Sequence, residues 1–228
     1  MLGAGLGHCA GVRTVTGEVG LSGRVGRERL RGRLLVGLAE PASVRIEAVA
    51  PFGAPYFLLA GRDGVAALLF PRENHVLPDA PVSAILEALA GLDVRAADLR
   101  AWLAGCPGSE PQPATARAYG DSWAAVDLAD AGTAWLRRLD RGWRLVAVTG
   151  TALRVEFDGH AGVQPLEIRI GRASPEASPP LDVRLALRQV EINADVPAEA
   201  FSIDIPADAI AITLDELRRS GPLRDDVD

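Results

Sequence analysis

A strand-like stretch near the C-terminal end of the chain changes its buried face part-way along. In its first half, Leu181, Val183, Leu185 and Leu187 alternate with Asp182, Arg184 and Arg188. At Gln189 the phase changes, because the next apolar residues are Val190 and Ile192. A strand that changes face needs a bulge or a strong twist, which are features of curled sheets. At about 3.3 Å per residue it would span roughly 40 Å, about twice the usual strand. The stretch 181–206 therefore predicts a long strand that wraps around an interior.

Shorter strand patterns fill much of the remaining chain. Alternating or short apolar runs predict strands at 30–38, 44–48, 56–60, 65–70, 117–128, 133–139, 143–148, 153–157, 166–170 and 201–205. A weaker pattern covers 12–23 and closes on a turn signal at Ser22 and Gly23. Turn residues such as Asp158 and Gly159 separate neighbouring strands, as antiparallel hairpins require. We therefore expect about ten antiparallel strands.

Two short helices interrupt the strands. The first follows Pro81 and ends at Gly91, and the second is expected to begin after a cap at Asp93. Their apolar residues recur at helical spacing: Val82, Ile85, Leu86 and Leu89 in the first, and Leu99, Trp102 and Leu103 in the second. A capping-box pattern, Thr213 to Glu216, predicts a third helix near the end of the chain.

These elements predict a mainly β (α+β) fold in one domain, 1–228. A single sheet of about ten strands must curl or split in two. Its concave face needs a cover, and the apolar sides of the two central helices can supply one. The fold class we expect is a curled antiparallel sheet that forms an incomplete β-barrel with a short helical lid. The pattern alone leaves open whether the interior is a packed core or an open pocket.

Charge and hydropathy exclude some classes of function. The formal net charge is -6, and every one of the 24 Lys and Arg residues is an arginine. These arginines are scattered singly along strands, whereas a nucleic-acid surface needs clustered positive charge. No apolar run approaches the ~20 residues of a membrane-spanning helix. The sequence as given has no signal peptide, so we expect either a cytoplasmic protein or a true start that lies upstream.

Residues that could carry chemistry do not form a recognisable set. Cys9 and Cys106 are too few for a metal cluster, and we expect them to be free, with Cys106 buried beside a helix end. The three histidines lack the spacing of a zinc site. A glycine-rich match at 5–10 has no preceding strand and is accidental. With no nucleophile motif either, we expect no enzyme, no catalytic residues, no metal and no cofactor.

Several segments taken together resemble the bacterial lipoprotein-localisation (LolA/LolB-like) superfamily. They are the segment 34–47 with Pro41 and Arg45, the turn PFG at 51–53 leading to YFLL at 56–59, the helical pair ending in WLAGCP at 102–107, and the segments 197–201 and 213–217. The resemblance covers about 12–217 and is nearest to predicted outer-membrane lipoproteins of that fold. It implies an incomplete β-barrel with a helical lid and a hydrophobic cavity for acyl chains, and a protein that acts by binding.

The start of the chain departs from that family. Members are exported, and many carry a lipidated N-terminal cysteine after a small residue, whereas His8 precedes Cys9 here. The long first helix of the family is also nearly absent. Both departures would follow if Met1 were an internal start, so that 1–11 is the remnant of that helix. The resemblance then implies the periplasm, or the periplasmic face of the outer membrane, provided that a signal sequence lies upstream.

An apolar concave face under a lid is suited to an acyl chain, because each buried methylene contributes roughly 0.8 kcal/mol. The residues expected along this cavity are Leu34, Val36, Val44, Ile46, Leu58, Leu68, Val155, Phe157, Ile168 and Leu185 from the sheet, and Ile85, Leu89, Leu99 and Trp102 from the lid. The resemblance further implies Arg45 as a gate of the cavity. The alternation of Val44 and Ile46 instead favours an outward Arg45 that pairs near Glu47.

Two hypotheses of different classes follow. In the first, the protein binds a lipid or the acyl chains of a lipoprotein, in lipoprotein or lipid transport or in outer-membrane biogenesis. Its partners would then be those chains, with the outer-membrane surface or an envelope complex in addition and no nucleic acid. In the alternative, it is a non-catalytic structural or assembly protein of the cell envelope with a filled core. A lipid hydrolase ranks last, because the sequence has no nucleophile motif.

Overall fold

A computed structural model describes residues 6–129, 132–139 and 142–220. Fourteen strands lie in these ranges: β1 (Thr14–Val25), β2 (Glu28–Ala39), β3 (Ser43–Ala48), β4 (Phe57–Arg62), β5 (Val65–Phe70), β6 (His75–Pro81), β7 (Pro113–Tyr119), β8 (Trp123–Leu128), β9 (Gly132–Leu139), β10 (Gly142–Thr149), β11 (Leu153–Asp158), β12 (Glu167–Arg172), β13 (Leu181–Ile192) and β14 (Ile210–Ala211). The helices are α1 (Val82–Ala90), α2 (Ala96–Leu103) and α3 (Leu214–Ser220), with 3₁₀ turns at Gly7–Gly11 and Ala198–Phe201. None of the described helices is long and apolar enough to cross a bilayer.

All of these strands belong to one sheet in the order β14-β6-β5-β4-β3-β2-β1-β13-β12-β11-β10-β9-β8-β7. The short β14 runs parallel to β6, and the other neighbours are antiparallel hairpins or, for β1 and β13, the first and last long strands of the chain. A sheet of this many strands curls, but β14 and β7 do not pair with each other, so it does not close. This confirms the predicted curled, incomplete barrel.

The predicted change of face in β13 is a β-bulge. Gln189 and Val190 together oppose the single residue Gly17 of β1, and Gln189 adopts a positive φ of 48°. A Cβ on Gly17 would lie 2.9 Å from Val190 Cγ2, so the close approach at the bulge requires glycine. Before the bulge, the apolar side chains of β13 are buried on the concave face; after it, Val190 and Ile192 are half-buried and pack at the margin of the core.

Some predicted boundaries differ from the structure. The predicted strand at 117–128 is two strands, β7 and β8, because Gly120 adopts a positive φ of 60° and allows a turn. Ser22 and Gly23 do not form a turn but lie inside β1, which continues to Val25. The predicted strand at 201–205 is absent, since Phe201 ends a 3₁₀ turn and is buried. The segment β14 at Ile210–Ala211 supplies the edge of the sheet instead.

The helices lie where the sequence placed them. Gly91 follows α1 in the left-handed conformation, with φ 66°. Helix α2 begins two residues later than a cap at Asp93 would require, because Arg95 is the capping position. At α3 the predicted capping box is present: the Thr213 backbone N–H donates to Glu216 Oε2 at 2.7 Å, and the Glu216 N–H donates to Thr213 Oγ1 at 3.2 Å. Helices α1 and α2 contribute buried residues to the same core as the concave face of the sheet.

Candidate functional site

A small cavity of about 60 Å³ lies between the concave face of the sheet and helices α1 and α2. Every side chain in its wall is apolar. The sheet contributes Val19, Leu21, Leu34, Val36, Ile46, Phe57, Leu59, Ile170 and Leu185, and the lid contributes Leu86, Leu89, Ala90, Leu92, Val94, Leu99, Trp102 and Leu103. Such a wall can hold a hydrocarbon by burial, but apart from the indole N–H of Trp102 it offers no side-chain hydrogen bond.

Strand alternation explains how the sheet supplies its half of this wall. Successive residues of a strand point to opposite faces. In β2, Leu34 and Val36 are buried and line the cavity, whereas Leu35 between them is 44% exposed on the convex face. The same alternation in β3 turns Ile46 inward and Glu47 outward.

Half of the predicted cavity residues lie in its wall. These are Leu34, Val36, Ile46, Leu89, Leu99, Trp102 and Leu185. A further one, Val155, lines a neighbouring cleft beside α2. The others on the buried faces belong to the packed core rather than to the cavity wall: Val44, Leu68, Ile85, Phe157 and Ile168. The structure thus brings the predicted residues onto one side of the sheet and distributes them between a cavity and solid packing.

In β4 the structure places Leu58 on the opposite face from the cavity. Leu58 is half-buried, and its neighbours Phe57 and Leu59, at most 1% exposed, line the cavity instead. The run from Tyr56 to Leu59 is apolar throughout, so its period cannot show which residues point inward.

Arg45 does not contact the cavity. Its Nε donates to Glu47 Oε1 at 3.1 Å, and its Nη1 donates to the carbonyl oxygen of Ala200 at 2.9 Å. The side chain therefore lies on the convex face, as the alternation favoured, and ties β3 to the 3₁₀ turn Ala198–Phe201. The family resemblance implied that Arg45 would act as a gate of the cavity. In the structure Arg45 lies beside the 3₁₀ turn and is not part of the cavity wall.

A different arginine connects the lid to the sheet. Arg100 of α2 is 6% exposed and lines a polar cleft of about 650 Å³ between α2 and the β2–β3 turn. Its Nη2 lies 3.6 Å from Glu40 Oε1, and its Nη1 lies 3.5 Å from the carbonyl oxygen of Pro41. Burial lowers the pKa of Arg100, and the charges of Glu40 and Asp98 offset only part of that effect. The contacts are long, so this connection is a weak one.

Asp98 fixes the chain that follows the lid. Its carboxylate accepts hydrogen bonds from Arg95 Nε at 2.7 Å, from the Ser109 backbone N–H at 3.1 Å and from Ser109 Oγ at 2.9 Å. Burial alone would raise the pKa of Asp98, but the hydrogen bonds from Arg95 and Ser109 outweigh it and hold this pKa below its ordinary value.

The two cysteines form a disulfide, so the expectation of free cysteines was wrong. Cys9 and Cys106 are joined with a Cα–Cα distance of 5.6 Å across 97 positions of sequence. Cys106 is buried just after α2, as predicted. Of the segment expected to be a helix remnant, 1–5 lies outside the described residues and Gly7–Gly11 is a 3₁₀ turn. The bond therefore fastens this N-terminal turn to the end of the lid.

His8 lies against the disulfide. Its Nε2 is 3.6 Å from each sulfur and 3.3 Å from the carbonyl oxygen of Ala104. Burial lowers the pKa of His8; the hydrogen bond that the ring donates to the carbonyl oxygen of Ala104 opposes this, and the charge of Arg144 lowers the pKa further. His8, Cys9 and Cys106 are close enough to bind one metal ion, but sulfurs bonded to each other are not thiolate ligands.

Sequence reasoning missed ten residues of the cavity wall: Val19, Leu21, Phe57, Leu59, Leu86, Ala90, Leu92, Val94, Leu103 and Ile170. In β1 the signal is weak, because glycines interrupt the alternation and the bulge shifts it at Gly17. Leu92 and Val94 belong to the linker between the lid helices, which has no period to interpret. The apolar residues of α1 and α2 recur at helical spacing, so the sequence also indicates Leu86 and Leu103 as residues that face the sheet.

Comparisons with known proteins identify the fold. Neither the protein-family models nor the curated protein sequences contain a match. Among solved structures, a LolA superfamily protein from Nitrosomonas europaea superposes with a TM-score of 0.56 and 12% identity, over 87% of this chain and 96% of that chain. A DUF1329 family protein from Desulfovibrio piger superposes with a TM-score of 0.53 and 10% identity, over 86% of this chain and 92% of that chain.

Both superpositions cover nearly the whole of the neighbouring chain. Because the sequence identities are 12% and 10%, they show a shared fold and no shared function. The chain therefore has the LolA/LolB-like fold.

Proposed function

We propose that this protein binds the acyl chain of a lipid or of a lipoprotein in the apolar cavity under helices α1 and α2. The observation that carries the proposal is the composition of the cavity wall, in which every side chain is apolar. The role would be non-catalytic, in lipid or lipoprotein transport or in outer-membrane biogenesis. The LolA/LolB-like fold is consistent with this role.

The lid must move for a ligand to bind. The cavity has a volume of about 60 Å³, whereas sites for drug-sized ligands measure ~300–1,000 Å³. A chain of a dozen methylenes would release roughly 10 kcal/mol on burial, at about 0.8 kcal/mol each. That free energy can offset the separation of α1 and α2 from the sheet. The closed state is then the form in which the lid buries its own apolar side.

The attachments of the lid favour such a movement. The long contacts of Arg100 with Glu40 and Pro41 are weak. The Val82 N–H at the start of α1 donates to the carbonyl oxygen of Gly64 at 2.9 Å, and the buried side chains of the lid contact the sheet by apolar packing that a hydrocarbon chain can replace. The disulfide fixes the C-terminal end of α2, at Cys106. The lid would therefore move away from the sheet while that end stays attached.

The disulfide also bears on the compartment. Disulfides persist in the periplasm and other oxidising compartments and are rare in the reducing cytosol. The bond between Cys9 and Cys106 therefore supports an extracytoplasmic location, at the periplasm or the periplasmic side of the outer membrane. An envelope partner that supplies or receives the acyl chain would be found there.

The small volume favours one alternative, a non-catalytic structural or assembly protein of the envelope whose core is simply filled. The two functions differ in whether the interior ever opens. Native mass spectrometry of the protein, exported to the periplasm of its expression host, distinguishes them. Under the proposal we expect a stoichiometric mass excess that is released on denaturation and identified as phospholipid or acylated peptide.

A matched pair of variants sharpens this experiment. Leu34 lines the cavity, whereas Leu35 points to the convex face. We expect Leu34→Trp to lose the bound lipid, because the indole occupies the cavity, and Leu35→Trp to retain it. A bare polypeptide mass for the wild type, repeated after incubation with vesicles of envelope phospholipid, would favour the filled core.

A further inference from the structure

Trp102 and Val94 line both the apolar cavity and a neighbouring cleft. The cleft has a volume of about 480 Å³ and lies between α2 and strands β10 and β11. Its floor includes Val148, Leu153 and Val155, so the apolar lining of the sheet continues into it. The Trp102 side chain, 8% exposed, is thus part of the partition between a cavity too small for a ligand and a larger space that is open to the outside.

The indole N–H of Trp102 is buried without an acceptor among the residues that the structure describes. Indole nitrogen can only donate, and a buried donor without a partner lowers stability. Such groups are uncommon in folded proteins and usually mark a bound water, a ligand or a functional role. A water molecule needs two to four polar partners, and on the cavity side the wall supplies none besides this N–H; in the described part of the chain, polar side chains lie only on the cleft side of the ring.

From these two observations we infer that the cleft beside β10 and β11 is the entrance for an acyl chain, and that Trp102 Nε1 donates a hydrogen bond to the carbonyl oxygen of its ester or amide group. The inference rests on the proposed function and adds to it a route and a polar subsite. When the Trp102 ring turns aside, the cavity and the cleft become one space, of the size that ligand sites have.

The same arrangement explains how a ligand would be oriented. The hydrocarbon would extend inward along Leu34, Leu99 and Leu185, which line the cavity. The head of the ligand would remain in the cleft, where Asp98, Arg95 and Thr151 provide polar surroundings. The carbonyl group stands at the junction of chain and head in both acyl esters and acyl amides, and Trp102 stands at the junction of the cavity and the cleft.

The test compares two probes of similar length, methyl dodecanoate and tetradecane, on the wild type and on Trp102→Phe. Affinities are measured by displacement of an environment-sensitive fluorescent fatty-acid analogue. The variant keeps an aromatic ring and removes the donor together with the pyrrole half of the indole, a loss of volume that affects both probes alike, so the difference between ester and alkane reports the donor. We expect Trp102→Phe to weaken binding of the ester by roughly fivefold, which is the usual effect of one neutral hydrogen bond, and to leave binding of the alkane within twofold. The N-methyl amide of dodecanoic acid should respond as the ester does.

A spectroscopic measurement on the wild type observes the Trp102 indole N–H directly. The chain has four tryptophans, and the indole signal lost in the ¹⁵N–¹H spectrum of Trp102→Phe identifies that of Trp102. We expect this signal to move downfield with the ester and to move less with the alkane. If the variant does not fold, assignment by selective quenching in the bound state replaces it.

The outcomes separate the two proposals. If neither probe binds the wild type, the proposed function itself fails. If both probes bind but Trp102→Phe affects them equally, or affects neither, the carbonyl subsite is overturned and acyl binding stands.

Discussion

Asp98 is a partly buried carboxylate of helix α2 whose charged form joins the start of that helix to the loop after it. Its carboxylate binds both Arg95 and the Ser109 backbone, and its pKa lies below the ordinary value. The charged form is therefore favoured in the folded state. Its contribution to stability is complete above the unfolded pKa of about 3.9 and is lost as the pH falls through the lower, folded pKa.

We predict that Asp98→Asn lowers the free energy of unfolding at pH 7 by roughly 1–3 kcal/mol, because it removes hydrogen bonds to a charged group. Below the folded pKa the difference from the wild type should disappear. Urea unfolding at several pH values measures both effects. Asp121→Asn, at an exposed aspartate in the turn between β7 and β8, is the matched control and should change little. Equal stability of Asp98→Asn and the wild type at pH 7 would contradict the prediction.

At the level of residues, the sequence was informative where charged and apolar residues alternate. Arg33 and Glu47 mark the outer face, so the inward positions of Leu34 and Ile46 could be predicted. Where a run is apolar throughout, as around Leu58, the period carries no information and burial depends on how the hairpin registers with its neighbours. The disulfide could not be predicted either, because no local pattern relates positions 97 residues apart.

Among the elements, the 3₁₀ turn Gly7–Gly11 depends most on a covalent link. The bond from Cys9 to Cys106 closes a loop with a sequence separation of 97 residues. In the chain-entropy description, a loop of that length contributes about 4–5 kcal/mol.

We therefore predict that the double variant Cys9→Ser/Cys106→Ser loses about 3–5 kcal/mol of unfolding free energy. Denaturant unfolding with and without a dithiol reductant tests this. The reductant should destabilise the wild type by a similar amount and leave the double variant unchanged. An unchanged unfolding midpoint in the double variant would mean that the bond does not constrain the unfolded chain.

Elements with strong local signals were predicted well, and those defined by tertiary contacts were not. Helix α1 has helical periodicity and a glycine stop, and the capping box of α3 forms as its residues require. Strands β7 and β8 were merged, although Gly120, Asp121 and Ser122 between them form a turn signal that could have separated them. The edge strand β14 is two residues long and exists only through its pairing with β6, so no sequence pattern could indicate it.

At the level of the whole molecule, the count of strands and the bulge at Gln189 were enough to predict a curled, unclosed sheet. The size of its interior could not be predicted, because the same apolar pattern lines a cavity and a packed core. Residues such as Leu34 and Ile168 look alike in sequence; the first lines the cavity and the second is solid core. The difference is set by how closely the lid approaches each part of the sheet.

Stability should therefore be unevenly distributed between lid and sheet. Strand β1 is hydrogen-bonded along its length to β2 on one side and, apart from the bulge, to β13 on the other. Helices α1 and α2 cover the concave face with apolar side chains, and the buried Arg100 makes only long polar contacts with the β2–β3 turn. Units held by fewer interactions open at lower free energies than the core does.

We predict that, in native-state hydrogen exchange, the amides of α1 and α2 exchange at least about 100-fold faster than those of β1 and β13, which corresponds to an opening free energy about 3 kcal/mol lower. Mass spectrometry of peptides across 82–103 and 181–192, at increasing denaturant below the unfolding transition, measures both. A bound acyl chain should slow exchange in the lid and leave β13 unchanged, because the ligand occupies the space into which the lid packs. If the lid instead exchanges only together with β1 and β13, the interior opens only on global unfolding. Acyl binding by lid movement would then be excluded, and the filled-core envelope protein would be the better account of the molecule.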